Sequence, residues 1–563
     1  MQAFRLPFTL ASLATLGGLI GFVPSLRAAL PAHGYGVATE SAGATREATR
    51  VLASGGNAID AAVCAALVAG FTSPSSSGIG GGGFGLVWSA RDRKATLLDF
   101  RETAPQRIDA AALDRRPVAP ERRGQTVGVP GEVAGLFELE QRFGKLAWRD
   151  VVLRAARLAQ LGFDAEAHAV DQIGEQQQAQ LSQSATFRSV YLPGGNAAKL
   201  GQKLHASKLA KTLTRIASEG KRGFYEGPVA SDLVSAVKAA GGALELADLA
   251  GYQALNREPL RINWGGKDIL TAPPPSAGGL LLLQTLALFP PAELVAMKDT
   301  PGKRIHLLAE AMRGSAADRA RFFGDPAFVN IDLGKLLSPR RLLRRKALLA
   351  EDRTHTQPRF GLEDAGTHQL VTADDEGNWV TLTTTVNDAF GAKLVGEQSG
   401  VMLNDQLADF STPDSVHPFG MAESPNRVRP GARPVSSMSP TLVLDGGTPI
   451  LALGGSGGLT IGPNVTQVLL DYLALGTTLD AAVAAPRFTV PAPDSGQTLS
   501  LESSLAATYG ADLTARGELW IRKDGQSAVQ AVARNNAVFA AAADPRKHGS
   551  AAVSSPSPAR AAQ

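Results

Sequence analysis

The stretch Trp379–Asn387 alternates most clearly along the chain. Thr381, Thr383, Thr385 and Asn387 fall on one face, and Val380, Leu382 and Val386 on the other. That is the period of a β-strand with one apolar face turned to a core. The polar face could meet solvent or line a pocket with hydroxyls and an amide, and the pattern alone does not choose. Shorter strand-like runs are Phe84–Trp88, Thr96–Phe100, Leu370–Ala373, Thr441–Leu444 and Ile450–Leu453. Helical spacing predicts two helices between Glu40 and Ala69, the first ending at Gly55-Gly56 and the second opening on Asn57 with Asp60 as an N-cap pair. Further helices are expected over Pro130–Gly144, Trp148–Gly162, Leu280–Phe289, Arg304–Phe323 and Val465–Leu475. Strands mixed with paired helices and little obvious linker predict one layered α/β or α+β unit. A tail after His548, rich in Ser, Pro and Ala, is expected to be disordered from about residue 549.

Composition narrows the function. The 563 residues are 44% hydrophobic and 19% charged, enough apolar surface for a sizeable core. With 56 Lys+Arg against 52 Asp+Glu the balance is +4, which argues against nucleic acid as a partner. The dense basic run Arg340–Lys346 follows Ser338-Pro339, a helix start, and reads as a solvated helix face. One cysteine, Cys64, excludes an internal disulfide and a cysteine-built zinc or iron–sulfur site. The eight histidines show no metal-ligand spacing, so neither metal nor other cofactor is expected.

The first acidic residue is Glu40, and Leu6–Leu26 carries no charge between Arg5 and Arg27. A basic start, an apolar middle and small residues at Ala28 and Ala29 read as a secretory signal over residues 1–29. The expected location is periplasmic or secreted, with a retained membrane anchor as the rival reading.

Two glycine-rich motifs invite specific chemistry. Gly78-Ile79-Gly80-Gly81-Gly82-Gly83 matches G-x-G-x-x-G, but a Ser/Pro loop precedes it and a strand-like segment follows, so close backbone packing is the better account than a dinucleotide. Gly454-Gly455-Ser456-Gly457-Gly458 matches the nucleophile elbow G-x-S-x-G, with His548 downstream as in serine esterases. Pro463 stands where the helix after an elbow should be established, which counts against that reading. The same glycines could instead present bare N–H groups to an anionic oxygen.

From about Tyr35 to Arg546 the chain resembles the γ-glutamyltranspeptidase family, glutathione hydrolases and transferases of the N-terminal-nucleophile class. The resemblance is carried by Gly55-Gly56-Asn57-Ala58-Ile59-Asp60-Ala61-Ala62, Gly80-Gly81-Gly82-Gly83-Phe84, Asp99-Phe100-Arg101-Glu102 and Val129-Pro130-Gly131. It continues through Pro273–Gly279, Gln398-Ser399-Gly400, Asn404–Phe410 and Arg433–Pro440.

The resemblance implies a four-layer αββα sandwich of the α+β class, made as a precursor that cuts itself between Gly366 and Thr367. A large chain (residues 30–366 after signal removal) and a small one of 197 residues (367–563) would form a heterodimer. Thr367 is then the nucleophile, and its freed α-amine the base. With a pKa of about 7.7–8.0 such an amine is roughly one-third neutral near pH 7.4, whereas an unperturbed lysine offers a base roughly three hundred times scarcer. By the same resemblance Arg101 grips the substrate α-carboxylate, Asp409 takes the α-amino group, and Asn387 and Gln406 add hydrogen bonds. Thr385 bonds Thr367, Ser436 and Ser437 line the γ-glutamyl site, and Gly457 and Gly458 supply oxyanion donors. Glutathione or another γ-glutamyl compound is the implied donor, with water, an amino acid or a peptide as acceptor.

The chain departs from the family pattern at three places. His368 stands where a second threonine is usual, the segment from Ser411 to Gly420 has no tyrosine, and Gly455-Ser456 replaces Ser-Pro before the paired glycines. Three rivals follow: a related acylase for a glutaryl-type amide, the Ser456 esterase, and an exported binding protein that is never cut.

Overall fold

A computed structural model describes residues 34–554 except 111–112, 114–118, 355–366, 412–423, 491–497, 526 and 537. The expected signal segment and Gly366 lie outside the described residues.

Two antiparallel sheets form the centre. The first has seven strands in the order Ser550–Ser554, Tyr35–Thr39, His368–Asp374, Trp379–Thr385, Gly82–Ser89, Lys94–Asp99 and Leu255–Arg257. The second has six, in the order Val538–Ala542, Ala528–Asn535, Thr448–Ser456, Thr441–Asp445, Lys267–Thr271 and Leu260–Trp264. Helices cover both outer faces. Ala42–Ala53, Ala58–Thr72 and Glu132–Phe143 pack on the first sheet, with Trp148–Leu161 against Ala58–Thr72; Gly278–Leu288 and Ile461–Leu473 pack on the second, with Pro301–Phe322 against Gly278–Leu288. This is the αββα sandwich of the α+β class.

The alternation of Trp379–Thr385 explains the layering. Val380 and Leu382 join the core under the helices, while Trp379 joins the core between the sheets. The threonine face meets neither solvent nor an open pocket for most of its length. Thr381 Oγ1 donates to the Leu453 carbonyl of the facing sheet at 3.1 Å, and Gln369 accepts from Thr383 Oγ1 at 2.5 Å and donates to Thr381 Oγ1 at 2.9 Å. Only the end of the row, at Thr385 and Asn387, reaches a cavity. The helix Ala58–Thr72 is buried on almost every side, consistent with its lack of charged residues after Asp60, and its start carries the expected reciprocal cap between Asn57 and Asp60.

Several expectations need correction. The chain is not disordered from residue 549: Ser550–Ser554 pairs antiparallel with Tyr35–Thr39 as an edge strand, satisfying backbone groups that a loose tail would leave to water. Pro463 does not stop a helix. Ile461–Leu473 starts two residues before it, so Pro463 sits in the first turn, where no intrahelical donor is needed. The basic helix Pro339–Leu348 is only partly a solvated face. Arg341 pairs with Asp318 at 2.5 Å, Arg345 donates to Gln284 Oε1 at 2.9 Å, and Lys346 pairs with Glu293. The glycine loop behaves as close packing demands: a Cβ at Gly81 would lie 1.9 Å from the Thr385 carbonyl oxygen, and a strand, Gly82–Ser89, follows the loop.

A buried ionic cluster fastens the C-terminal segment. Arg487, 1% exposed, pairs with Asp544 at 2.8 Å, and Asp544 also accepts from the Val529 and Arg546 amides at 2.8 and 2.9 Å. Arg546 adds a bond to Glu502 at 2.5 Å. Replacing Arg487 by methionine strips one cation from a fully buried carboxylate. Because Arg546 remains on its other oxygen, the expected loss is about 3 kcal/mol, the lower end for a broken buried pair, read as a lowered urea midpoint.

Candidate active site

Thr367 heads the His368–Asp374 strand in the middle of the first sheet, with its residue 4% exposed. Its hydroxyl lies 3.5 Å from that of Thr385 at the end of the neighbouring strand. Thr385 Oγ1 in turn accepts the Asn387 amide at 2.8 Å. Asn387 adopts φ +78°, a left-handed conformation that asparagine tolerates, and its side chain donates to the Asp405 carbonyl at 3.3 Å.

One cavity of about 40 Å³ gathers most of the residues expected from sequence: Arg101, Thr367, Thr385, Asn387, Asp409, Ser436, Ser437 and Gly458. Gln406 reaches it indirectly, donating to Asp409 Oδ2 at 2.8 Å. Gly457 adjoins Gly458 at the exit of the Thr448–Ser456 strand. The two adopt φ +125° and +58°, a turn that points toward glycine at both positions. Gly458 opens the short helical turn Gly458–Thr460, so its N–H has no place in the intrahelical ladder. Ser436 is fixed by its own backbone, which donates to the Pro275 carbonyl and accepts from Ala277 at 2.9 Å each, tying it to the Pro273–Gly279 segment.

Arg101 is 2% exposed and follows the Lys94–Asp99 strand. Asp99 accepts its amide at 3.0 Å, and the Tyr252 hydroxyl donates to its carbonyl at 2.8 Å. Its guanidinium meets Asp409 Oδ2 at 2.5 Å and donates to the Val435 carbonyl at 3.3 Å. The two groups expected to hold opposite ends of an α-amino acid thus hold each other. A zwitterion could enter by exchange, its carboxylate replacing Asp409 on Arg101 and its ammonium replacing Arg101 on Asp409, with no ion left unpaired. Glu102 does not compete for Arg101, because burial pushes its acid up to about 8.

Sequence reasoning missed three contributors. Asp99 and Tyr252 position Arg101, and Arg319, from the helix Pro301–Phe322, lines the same cavity. Asp99 lies two residues before Arg101 in the Asp99-Phe100-Arg101-Glu102 motif and is legible there; Tyr252 and Arg319 are distant in sequence and carry no local signal. The esterase reading fails on geometry. Ser456 is fully buried and its hydroxyl donates to Glu40, while the His548 ring pairs with Asp171 at 3.3 Å.

A four-layer αββα sandwich with a hydroxyl residue heading a central strand is the architecture of the N-terminal-nucleophile hydrolases. Residues 44–554 match the family model described as gamma-glutamyltranspeptidase, and the chain belongs to that family. It is similar to a glutathione hydrolase proenzyme of Bacillus subtilis subsp. natto, 37% identical over 80% of each chain, and to glutathione hydrolase 2 of Arabidopsis thaliana, 36% identical over 83% of this chain and 82% of the relative. Among solved structures, cephalosporin acylase from Bacillus halodurans superposes with TM-score 0.80 at 25% identity, covering 96% of this chain and 99% of its own. A Helicobacter pylori gamma-glutamyltranspeptidase chain superposes with TM-score 0.52 at 30% identity, covering 55% of this chain and 90% of its own.

The paired glycines give a direct test of the site's construction. A Cβ at Gly457 would stand 2.5 Å from Ser527 Oγ and 2.8 Å from its Cα, whereas Gly476, also at positive φ (+70°), faces open space. Gly457→Ala is expected to cost about 1–3 kcal/mol in strain and to lower the thermal midpoint more than Gly476→Ala does.

Proposed function

We propose that the protein is a γ-glutamyltransferase and glutathione hydrolase that works through Thr367 after cleavage of the Gly366–Thr367 bond. The observation that carries this reading is the single cavity holding Thr367, Thr385, Arg101, Asp409 and Gly458. Thr367 Oγ1 attacks the γ-carbonyl of a γ-glutamyl amide while its freed α-amine takes the hydroxyl proton. The tetrahedral oxyanion is met by the N–H groups of Gly457 and Gly458. It collapses to a γ-glutamyl ester as the leaving amine accepts the proton. Water, or the amine of an amino acid or peptide, then attacks the ester and regenerates Thr367.

Arg101 and Asp409 select the α-carboxylate and α-amino group, Asn387 and Gln406 add hydrogen bonds, and Ser436 and Ser437 line the γ-glutamyl site. The Arg101–Asp409 exchange favours this substrate over a glutaryl-type amide, which has no ammonium to offer Asp409. A processed large–small heterodimer is supported by the relatives' description as proenzymes and by the Helicobacter chain, which spans most of its own length yet just over half of this one. Export rests on the charge pattern of residues 1–29; among the described residues no helix is long and apolar enough to cross a membrane.

Intact-mass and gel analysis of wild type beside Thr367→Ala tests the reading. Two wild-type fragments, the smaller beginning at Thr367, and an uncut variant without γ-glutamyl anilide hydrolysis are expected; an uncut wild type that hydrolyses the anilide would refute it. Arg101→Lys keeps the charge but loses the planar fork. It should mature normally and raise KM for the anilide by about tenfold or more, checked by steady-state kinetics on the cleaved enzyme.

A further inference from the structure

The buried carboxylate of Glu40, just past the Tyr35–Thr39 strand, belongs to none of the roles above, and neither does the amine of Lys547. Lys547 Nζ donates to the main-chain carbonyl of Thr367 at 2.7 Å and lies 3.3 Å from Glu40 Oε2, an ion pair. The other oxygen, Glu40 Oε1, accepts from the Ser456 hydroxyl and from the Gln369 amide at 3.3 Å. Ser456 directly precedes Gly457 and Gly458, and Gln369 lies two residues after Thr367. Glu40 side chain is fully buried and Lys547 nearly so.

We propose that Glu40 and Lys547 act as positioning residues, one ion pair that sets Thr367 against the oxyanion turn and places a cation beside its α-amine. The inference rests on Thr367 being the nucleophile. Two sheets meet at this point: Thr367 begins a strand of the first, and Ser456 ends a strand of the second. One oxygen of Glu40 accepts from both sides, from Gln369 of the first sheet and Ser456 of the second, while the other pairs with the lysine that holds the Thr367 carbonyl. This fixes their separation, and a catalytic hydroxyl misplaced by about 1 Å can lose on the order of 100-fold in rate. The pair also bridges the expected cleavage point, since Glu40 lies before residue 366 while Thr367, Gln369, Ser456 and Lys547 lie after it.

The cation has a second consequence. A positive charge near the α-amine disfavours its ammonium form, so more of it is neutral and able to act as base at neutral pH. The Glu40 carboxylate offsets part of this field, but the cation rests on Thr367 itself while Glu40 reaches only the Gln369 amide, so the cation is the nearer charge. His368 and His168 are both pushed down to about 3, chiefly by burial, and stay neutral through the working range. His548 and Asp171 are largely exposed and screened by water. Burial raises the Glu40 acid, opposed by Lys547 and by the Ser456 hydrogen bond.

The test uses Lys547→Met, Lys547→Arg and Ser456→Ala in the full-length precursor, with maturation read by intact mass and kinetics by γ-glutamyl anilide hydrolysis. Cleaved Lys547→Met should show kcat lowered about 10–100-fold with KM within about twofold. The acidic limb of its kcat/KM profile should move up by about 0.5–1 pH unit, because the amine then protonates more readily. Lys547→Arg should hold the wild-type limb and recover most of kcat. Ser456→Ala, which loosens only the oxyanion side, should lose about tenfold in kcat with the limb unmoved. A cleaved Lys547→Met with wild-type kcat and limb would overturn the proposal while leaving the Thr367 nucleophile in place. A Lys547→Arg as impaired as Lys547→Met would overturn it as well. If Lys547→Met does not fold, Ser456→Ala decides: wild-type kcat in that variant overturns the coupling. A wild-type chain with no fragment starting at Thr367 would remove the nucleophile itself, a separate failure.

Discussion

A guanidinium that is almost wholly buried has to be paired, and the site is organised around that requirement. Arg101 meets Asp409 at 2.5 Å, and each partner comes from a different part of the chain: one follows an edge-side strand of the first sheet, the other sits in the short turn Gln406–Asp409. Leaving Arg101 alone would cost several kcal/mol. That penalty holds the turn, and with it Gln406, against the sheet. Under the proposed function it also shapes what can bind, because a molecule bringing both a carboxylate and an ammonium group can replace the pair without leaving an ion unpaired. Asp99 and Tyr252 fix the backbone on either side of Arg101, so its direction does not depend on the substrate.

The second constraint is how closely two backbones approach next to Thr385. The glycine loop presses against this strand so tightly that a single Cβ at Gly81 would overlap the Thr385 carbonyl oxygen. The nucleotide-like spelling of the loop therefore reflects packing. The spelling of the second glycine motif reflects a turn at positive φ, with Ser456 serving structure rather than attack.

Much of this was legible in the residues. The alternation of Trp379–Asn387, the cap at Asn57 and Asp60, and most helices and strands follow from period and local hydrogen bonding, and the structure has them. The grouping of Arg101, Thr367, Thr385, Asn387 and Asp409 was expected only through a resemblance, because no local pattern joins positions 101 and 409. Two local inferences went astray for identifiable reasons. Pro463 counts against an elbow only if the following helix starts after it, and the helix starts two residues before it. The Ser550–Ser554 segment has the composition of loose chain, yet an open sheet edge supplies the hydrogen bonds it lacks.

By itself the sequence determined which segments become helix or strand and which face of each is apolar, since those depend on neighbours within a few residues. It also carried the polar threonine face and the glycines that permit close approach. Only the tertiary structure decided what that threonine face meets, which carboxylate holds Arg101, and that Lys547 meets Thr367 across 180 residues of chain and Glu40 meets Gln369 across 329. Pairing of buried charges is decided by distance in space after the two sheets have packed, and chain order places no limit on it.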